Sequence, residues 1–73
     1  MIDTTKTVQE NAIENGNTFN YLFELQQSGQ TNMFGAASYM VRDLMFKPNV
    51  AKDYLLYWMD NYDAIAKALD IEI

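Results

Sequence analysis

Paired carboxylates are the side chains in this sequence that could carry out acid–base chemistry. Glu10 and Glu14 would be neighbours on a helix, and so would Asp60 and Asp63. A general acid–base pair or a metal site needs carboxylates that converge in a cleft, where burial moves their pKa values apart. The apolar pattern around each pair puts it on the solvent face of its helix. We therefore interpret both pairs as solvated surface residues.

The absent residue types narrow the chemistry further. The sequence contains no cysteine and no histidine, which excludes disulfides, thiolate and imidazole metal ligands, and Cys–His and Ser–His nucleophile systems. The stretch DNYD at 60–63 lacks the glycine and the terminal glutamate of a calcium-binding loop. The three glycines are isolated and form no phosphate-binding loop. The sequence therefore predicts no enzyme activity, no metal site and no cofactor.

The charge of the chain argues against nucleic acid as its partner. Ten acidic and five basic residues give a formal net charge of −5, so the field of the molecule repels phosphate backbones. Arg42, Lys47 and Lys52 cluster loosely, and we interpret them as solvated residues.

The last third of the chain carries an apolar seam that is rich in aromatic residues. Its members recur at alternating steps of four and three, as in a coiled coil. They are Ala51, Leu55, Trp58, Tyr62, Ile65 and Leu69. Tyrosine and tryptophan favour interfaces because they bury a large area and keep a polar tip. We predict an interface at Tyr54, Trp58, Tyr62, Ile65 and Leu69, between copies of the chain or with another protein.

The length of the chain also favours self-association. A domain of this size buries only roughly 60% of its unfolded surface, and without disulfides it often gains the missing burial from a second copy. Five methionines and ten aromatic residues are more apolar bulk than a small core easily hides. We therefore predict a homo-oligomer.

A sharp junction between two helices lies near the middle of the chain. Gly29 follows an amphipathic run and suits the left-handed residue that ends a helix. Thr31 and Asn32 are good N-caps for the next helix. From Met33 the apolar residues recur at steps of four, three, one and three, which is one helical face about three turns long. A turn this short predicts a sharp angle between the helices.

We predict an all-α fold with three main helices in an orthogonal array, at about 17–27, 32–46 and 48–70. Residues 1–16 are polar with scattered aliphatics and form either a loose N-terminal arm or a short helix. Residues 17–73 form a single helical domain. The predicted core consists of Phe19, Leu22, Phe23, Leu25, Met33, Phe34, Ala37, Met40, Val41, Leu44, Leu55 and Trp58.

The long C-terminal helix has two interpretations. We favour one continuous helix whose second half, from about Tyr62, packs on another copy or folds back against the N-terminal arm. A break at Asp60 and Asn61 is the competing interpretation, because both residues also favour helix caps.

Short turns on both sides of the second helix leave a DNA-binding helix-turn-helix as an alternative. In that motif the second helix presents basic and amide side chains to base edges. Here its solvent face offers Ser38, Arg42 and Asp43, with one cation. That makes a poor recognition helix.

The start of the chain shows no targeting pattern. Met1-Ile2-Asp3-Thr4 has neither a basic start nor an apolar segment. The longest uncharged apolar block, at 54–59, is too short to span a bilayer. We expect a cytoplasmic protein with no membrane partner.

One motif carries a resemblance to a known family. Residues 28–36 read SGQTNMFGA, and Tyr39-Met40 and Trp58-Met59 follow. This pattern resembles SG-x-TNMFGA-x-x-Y with a later Trp-Met, which is shared by short uncharacterised proteins encoded by bacteriophages. The resemblance covers about residues 21–59.

The sequence departs from the family pattern in three places. Ser38 stands where proline is common, the turn before Ala51 is shorter, and the tail from Asp60 is longer. The resemblance implies a helical core, a viral origin, a location in the cytoplasm of the infected host and an accessory or adaptor role. It supplies no activity, cofactor or catalytic residue.

From these observations we predict a non-enzymatic protein-interaction module of phage origin that self-associates. It would act through an apolar, aromatic surface on a phage or host protein. A small helix-turn-helix-like nucleic-acid-associated regulator is the alternative.

Overall fold

Five α-helices make up the fold in the residues that the structure describes. The computed structural model describes residues 1–29 and 32–72. The helices are α1 (Val8–Glu14), α2 (Gly16–Ser28), α3 (Ala36–Leu44), α4 (Pro48–Asp60) and α5 (Tyr62–Ala68), with a 3₁₀ turn at Met33–Gly35 before α3. The predicted all-α class is confirmed, whereas the arrangement of three main helices with one long last helix is not matched.

Helix α1 forms within the N-terminal segment, for which the sequence left an arm or a short helix open. Its start is a capping box, in which the Glu10 amide donates to the Thr7 hydroxyl at 3.1 Å and the Thr7 amide donates to the Glu10 carboxylate at 3.0 Å. The segment before it folds back, because the Asp3 amide donates to Asn11 Oδ1 at 3.0 Å and Asn11 Nδ2 donates to the Asp3 carbonyl at 2.8 Å. These bonds hold the N-terminal residues on α1.

The junction after α2 follows the sequence prediction where it is described. Gly29 ends α2 in the left-handed region, with φ at +70°. Asn32 Oδ1 accepts a hydrogen bond from the Gly35 amide at 3.0 Å and so caps the 3₁₀ turn. The cap predicted at Thr31 lies outside the described residues.

The continuous helix predicted over 48–70 is wrong, because the backbone leaves helical geometry at Asn61, with φ −123° and ψ 28°. Asn61 Nδ2 donates to the Tyr57 carbonyl at 3.0 Å, a local bond of the kind that bends helices. Helix α5 then packs on α1, one of the most extensive helix contacts in the described fold. The break at Asp60 and Asn61 is therefore the interpretation that the structure bears out.

All five helices contribute to one hydrophobic core. Its buried residues are Ala12, Phe19, Leu22, Phe23, Leu25, Ala36, Met40, Ala51, Tyr54, Leu55, Trp58, Ile65 and Ala66. Of the predicted core, Ala37, Val41 and Leu44 are only half-buried. The prediction that Phe34 belongs to the core is wrong, because its side chain is 84% exposed. It lies in the 3₁₀ turn, two residues before the buried Ala36, so its side chain points to a different side of the chain from the buried face of α3. The side chain of Met33 lies outside the described part.

Aromatic rings join α2 to α4 at the centre of the core. Phe23 and Trp58 meet edge to face with their centroids 5.3 Å apart, and Phe19 meets Tyr54 in the same way at 5.9 Å. Each such pair contributes about 0.5–1.5 kcal/mol beyond the area it buries. These contacts fix the position of α4, on which α3 rests.

Candidate protein-interaction surface

The five residues of the predicted interface do not form an open seam. Tyr54, Trp58 and Ile65 are buried by the chain's own residues, and Tyr62 and Leu69 are half-buried. For the three buried residues the interface prediction is corrected to a core position. Tyr54 and Trp58 pack on Phe19 and Phe23 of α2, and the break at Asn61 turns α5 with Ile65 onto α1. Self-association of the chain is a separate prediction, and it stays a prediction.

The tyrosines of this group also use their polar tips within the chain. The Tyr54 hydroxyl donates to Asn15 Oδ1 at 2.7 Å, and the Tyr62 hydroxyl donates to Gln26 Oε1. A partner would have to compete for these bonds, which weakens the case for an interface at this end of the molecule.

The carboxylate pairs lie on the surface, as the sequence analysis proposed. Glu10 belongs to the capping box of α1, and Glu14 pairs with Lys6 at 2.6 Å. Asp60 and Asp63 are exposed beside the helix break. Among residues 1–29 and 32–72, no group of three or more acidic, histidine or cysteine side chains could hold a metal ion.

Helix α3 presents an apolar surface to solvent. The side chains of Phe34 and Met45 are 84% and 88% exposed. Phe34 lies in the 3₁₀ turn before α3, and Met45 directly follows the last residue of the helix. A groove of about 300 Å³ is lined by Ala37, Ser38 and Val41 of α3 and by Pro48. We call the set of Phe34, Ala37, Ser38, Val41, Met45 and Pro48 the α3 surface.

The opposite side of α3 is anchored to the rest of the fold. Ala36 and Met40 are fully buried, and α3 makes its main contacts with α4. On the flank, the Tyr21 hydroxyl of α2 donates to Asp43 Oδ2 at 2.6 Å, and Arg42 Nε donates to Asp43 Oδ1 at 2.8 Å. The α3 surface is therefore presented by a helix that is held from two sides.

This flank has a measurable electrostatic signature. The hydrogen bonds from Arg42 and then from Tyr21 lower the pKa of Asp43 to about 2. Burial, followed by the hydrogen bond to Asp43, raises the pKa of Tyr21 to about 12.

We expect the Tyr21 contact to lose its stabilising effect in alkaline solution. Because the pKa of Tyr21 is raised on folding from 10.0 to about 12, its contribution is complete below pH 10 and is lost as the pH rises through 12. Urea unfolding of the wild type and of Tyr21→Phe at several pH values measures this, since the variant should show a smaller alkaline loss. An equal loss of unfolding free energy in the wild type and in Tyr21→Phe would contradict a role of Tyr21 in the alkaline loss of stability.

Met45 combines exposure with an unfavourable backbone conformation. It follows α3 with φ at +58°, in the left-handed region that glycine usually occupies at the end of a helix. A side chain there costs on the order of 1 kcal/mol. Strained positions that carry an exposed apolar side chain are candidates for a functional role.

We expect Met45→Gly to raise the free energy of unfolding by about 0.5–1 kcal/mol, because it relieves the left-handed strain while the more flexible unfolded chain offsets part of the gain. Met45→Ala is the matched control, since it removes the same exposed side chain and keeps the strain. Thermal unfolding followed by circular dichroism measures both. A variant with glycine that is no more stable than the one with alanine would contradict this account.

The α3 surface does not suit the helix-turn-helix alternative. A recognition helix presents donors and acceptors to base edges, whereas the α3 surface presents the apolar side chains of Phe34, Val41 and Met45. Its one cation, Arg42, is paired with Asp43 and lies over the ring of Tyr39 at 4.7 Å.

The sequence predicted half of this surface, Phe34, Ala37 and Val41, as core. The period of the apolar residues indicated an amphipathic helix with Ala37 and Val41 on its buried face, and Phe34 was added to the core beside it. In the structure Ala37 and Val41 are half-buried, and Phe34 lies in the 3₁₀ turn outside α3. The Asn32 cap was visible in the sequence, but the 3₁₀ geometry that it precedes was not.

Comparisons of the chain with protein-family models, with curated proteins and with solved structures gave no match. The resemblance to phage-encoded proteins therefore stays a prediction. In the described part of the chain, no helix has the length and apolar character to cross a membrane.

Proposed function

We propose that this protein is a non-enzymatic protein-interaction module that binds another protein through the α3 surface. The observation that carries the proposal is the joint exposure of Phe34 and Met45 at the two ends of α3, together with a groove lined by residues of α3 and by Pro48. Single exposed apolar residues are common on proteins and need no explanation. Large exposed side chains together with an apolar groove are typical of a recognition surface.

The side-chain chemistry fits this role. Met45 is unbranched and polarizable and adapts its shape to a partner, and Phe34 supplies a large rigid anchor. The other large exposed apolar residues in the described chain, Met1, Ile13 and Leu56, lie outside α3 and the residues at its two ends. Leu56 therefore serves as a control residue in the experiment below.

The resemblance of the SGQTNMFGA stretch supports a phage origin for this module, with a phage or host protein as its partner. Self-association is a separate part of the proposal. Tyr54, Trp58 and Ile65 are buried, so a contact between copies needs other residues.

The experiment compares capture of binding proteins by wild type, by Phe34→Ser/Met45→Ser and by Leu56→Ser, each immobilised at equal density. We expect the wild type and Leu56→Ser to retain the same protein from a lysate of the producing cells, and the double variant to lose it at least tenfold. Both substituted positions are exposed, so folding should be intact, and circular dichroism checks this.

Two results would contradict the proposal. One is equal capture by the double variant and the wild type. The other is binding of duplex DNA or RNA with an affinity that falls steeply with salt, because that is the behaviour of a nucleic-acid regulator.

A further inference from the structure

The α3 surface has a positively charged edge formed by α4. Lys47 directly precedes Pro48, which lines the groove. Lys52 lies one helical turn after Pro48, on the same face of α4 as Pro48. Both lysines are exposed. Within residues 1–29 and 32–72, the ion pairs involve Lys6 and Arg42 and leave these two ammonium groups uncompensated.

The nearby carboxylates face elsewhere. Asp43 lies half a turn away from Val41 on α3 and is bound to Tyr21 and Arg42. Asp53 lines a separate cavity with Met1, Ile2, Val50 and Tyr54. The groove therefore has a cationic edge in a molecule whose net charge is −5.

From this we propose that the α3 surface takes an acidic amphipathic helix of another protein. The inference rests on the proposed function and names the chemistry of the partner. Apolar side chains of such a helix would occupy the groove lined by Ala37, Val41 and Pro48. Carboxylates on its flank would face Lys47 and Lys52. An apolar face supplies the burial, and the charges supply orientation and selectivity.

A second copy of the chain fits this surface less well. In a two-fold dimer the same patch occupies both sides of the contact. Pairing the α3 surfaces in that way would bring Lys47 and Lys52 of both copies to one interface. Their like charges would repel.

The experiment uses two synthetic helical peptides with identical leucine positions at i, i+3, i+4 and i+7. One carries glutamate at all charged positions and the other carries lysine. Titration into the isotopically labelled full chain, followed by amide chemical shifts, gives both the affinity and the binding site. We expect the acidic peptide to shift amides of the α3 surface and to bind about fivefold more tightly at low salt, since exposed charge pairs each contribute modestly. Added salt should reduce this preference.

Charge reversal provides a matched pair of variants. Lys52→Glu and Lys67→Glu change the net charge equally at exposed positions, but Lys67 lies on α5 beside a different cavity. We expect Lys52→Glu to lose the preference for the acidic peptide and Lys67→Glu to keep most of it. Equal effects of the two substitutions would overturn the inference, because net charge would then explain the preference.

The remaining outcomes separate this inference from the proposed function. Equal binding of both peptides at the α3 surface overturns the acidic partner and leaves the interaction module standing. If light scattering shows a dimer, and if the amides of the α3 surface shift on dilution, then a second copy of the chain occupies this surface. That result also overturns the inference. Absence of binding by either peptide overturns it as well, while the capture experiment decides the proposed function independently.

Discussion

Trp58→Ala is expected to lower the free energy of unfolding by about 3–5 kcal/mol, the range for truncating a large aromatic residue in a core. Trp58 is 1% exposed and contacts the rings of Phe23 at 5.3 Å and Tyr62 at 5.0 Å. The free energy of unfolding of a domain is only about 5–15 kcal/mol, and a chain of 73 residues is a small domain. We therefore expect a large fraction of the Trp58→Ala variant to be unfolded. Urea unfolding followed by far-ultraviolet circular dichroism measures the change.

Leu56→Ala is the matched control for this prediction, because Leu56 lies on the same helix but is 49% exposed. We expect it to cost about 1 kcal/mol or less, since half of its side chain already contacts water. The result also tests the corrected role of Trp58. If Trp58→Ala folded as cooperatively as Leu56→Ala but lost a self-association seen in the wild type, then Trp58 would be an interface residue after all.

The indole nitrogen of Trp58 gives this experiment a second arm. Among the described residues it is buried without a hydrogen-bond partner. Trp58→Phe keeps an aromatic ring against Phe23 and removes the unpaired donor, whose burial carries a desolvation cost of about 1–3 kcal/mol. We therefore expect this variant to be clearly more stable than the one with alanine.

Asn11→Ala is expected to cost about 2–3 kcal/mol, because it leaves several polar groups without a partner at a nearly fully buried position. Asn11 Oδ1 accepts from the Asp3 amide, and Asn11 Nδ2 donates to the Asp3 carbonyl at 2.8 Å and to the Tyr57 hydroxyl at 3.2 Å. The same side chain thus joins the N-terminal segment, α1 and α4. Urea unfolding and hydrogen exchange of the Asp3 amide measure the loss.

Asn20→Ala is the control for Asn11, because Asn20 is exposed on α2. Substitutions at such surface positions change stability by about 0.5 kcal/mol or less. Faster exchange of the Asp3 amide in Asn11→Ala alone would show that the asparagine holds the N-terminal segment on α1. Similar stabilities of the two variants would contradict a structural role for the Asn11 hydrogen bonds.

Stability and interaction are assigned to different residues in this fold. Trp58 and Asn11 are buried and determine whether the chain folds, whereas Phe34 and Met45 are exposed and stay so in the isolated chain. Variants of the α3 surface can therefore be tested for binding without loss of the fold. Met45→Gly is expected to stabilise the protein while it weakens binding, which would separate the two properties directly.

Features that depend only on neighbouring residues could be predicted from the sequence. Gly29 suits the left-handed end of α2, Asn32 can cap the turn after it, and Pro48 suits the first position of α4. These preferences act within one helical turn. The apolar spacing that places Phe19 and Leu22 in the core is equally local, because it depends only on the period of a helix.

Contacts between distant segments decide which apolar residues are covered. The spacing of Trp58 and Ile65 is the same whether the chain's own helices or a second copy cover them. In the single chain, the packing of α4 on α2 covers Trp58 and the packing of α5 on α1 covers Ile65. Likewise, periodicity could not show that Phe34 and Met45 stay exposed, because exposure depends on which segments are left to cover them. The physical reason is that helix formation is local, whereas burial is decided by contacts between residues far apart in the chain.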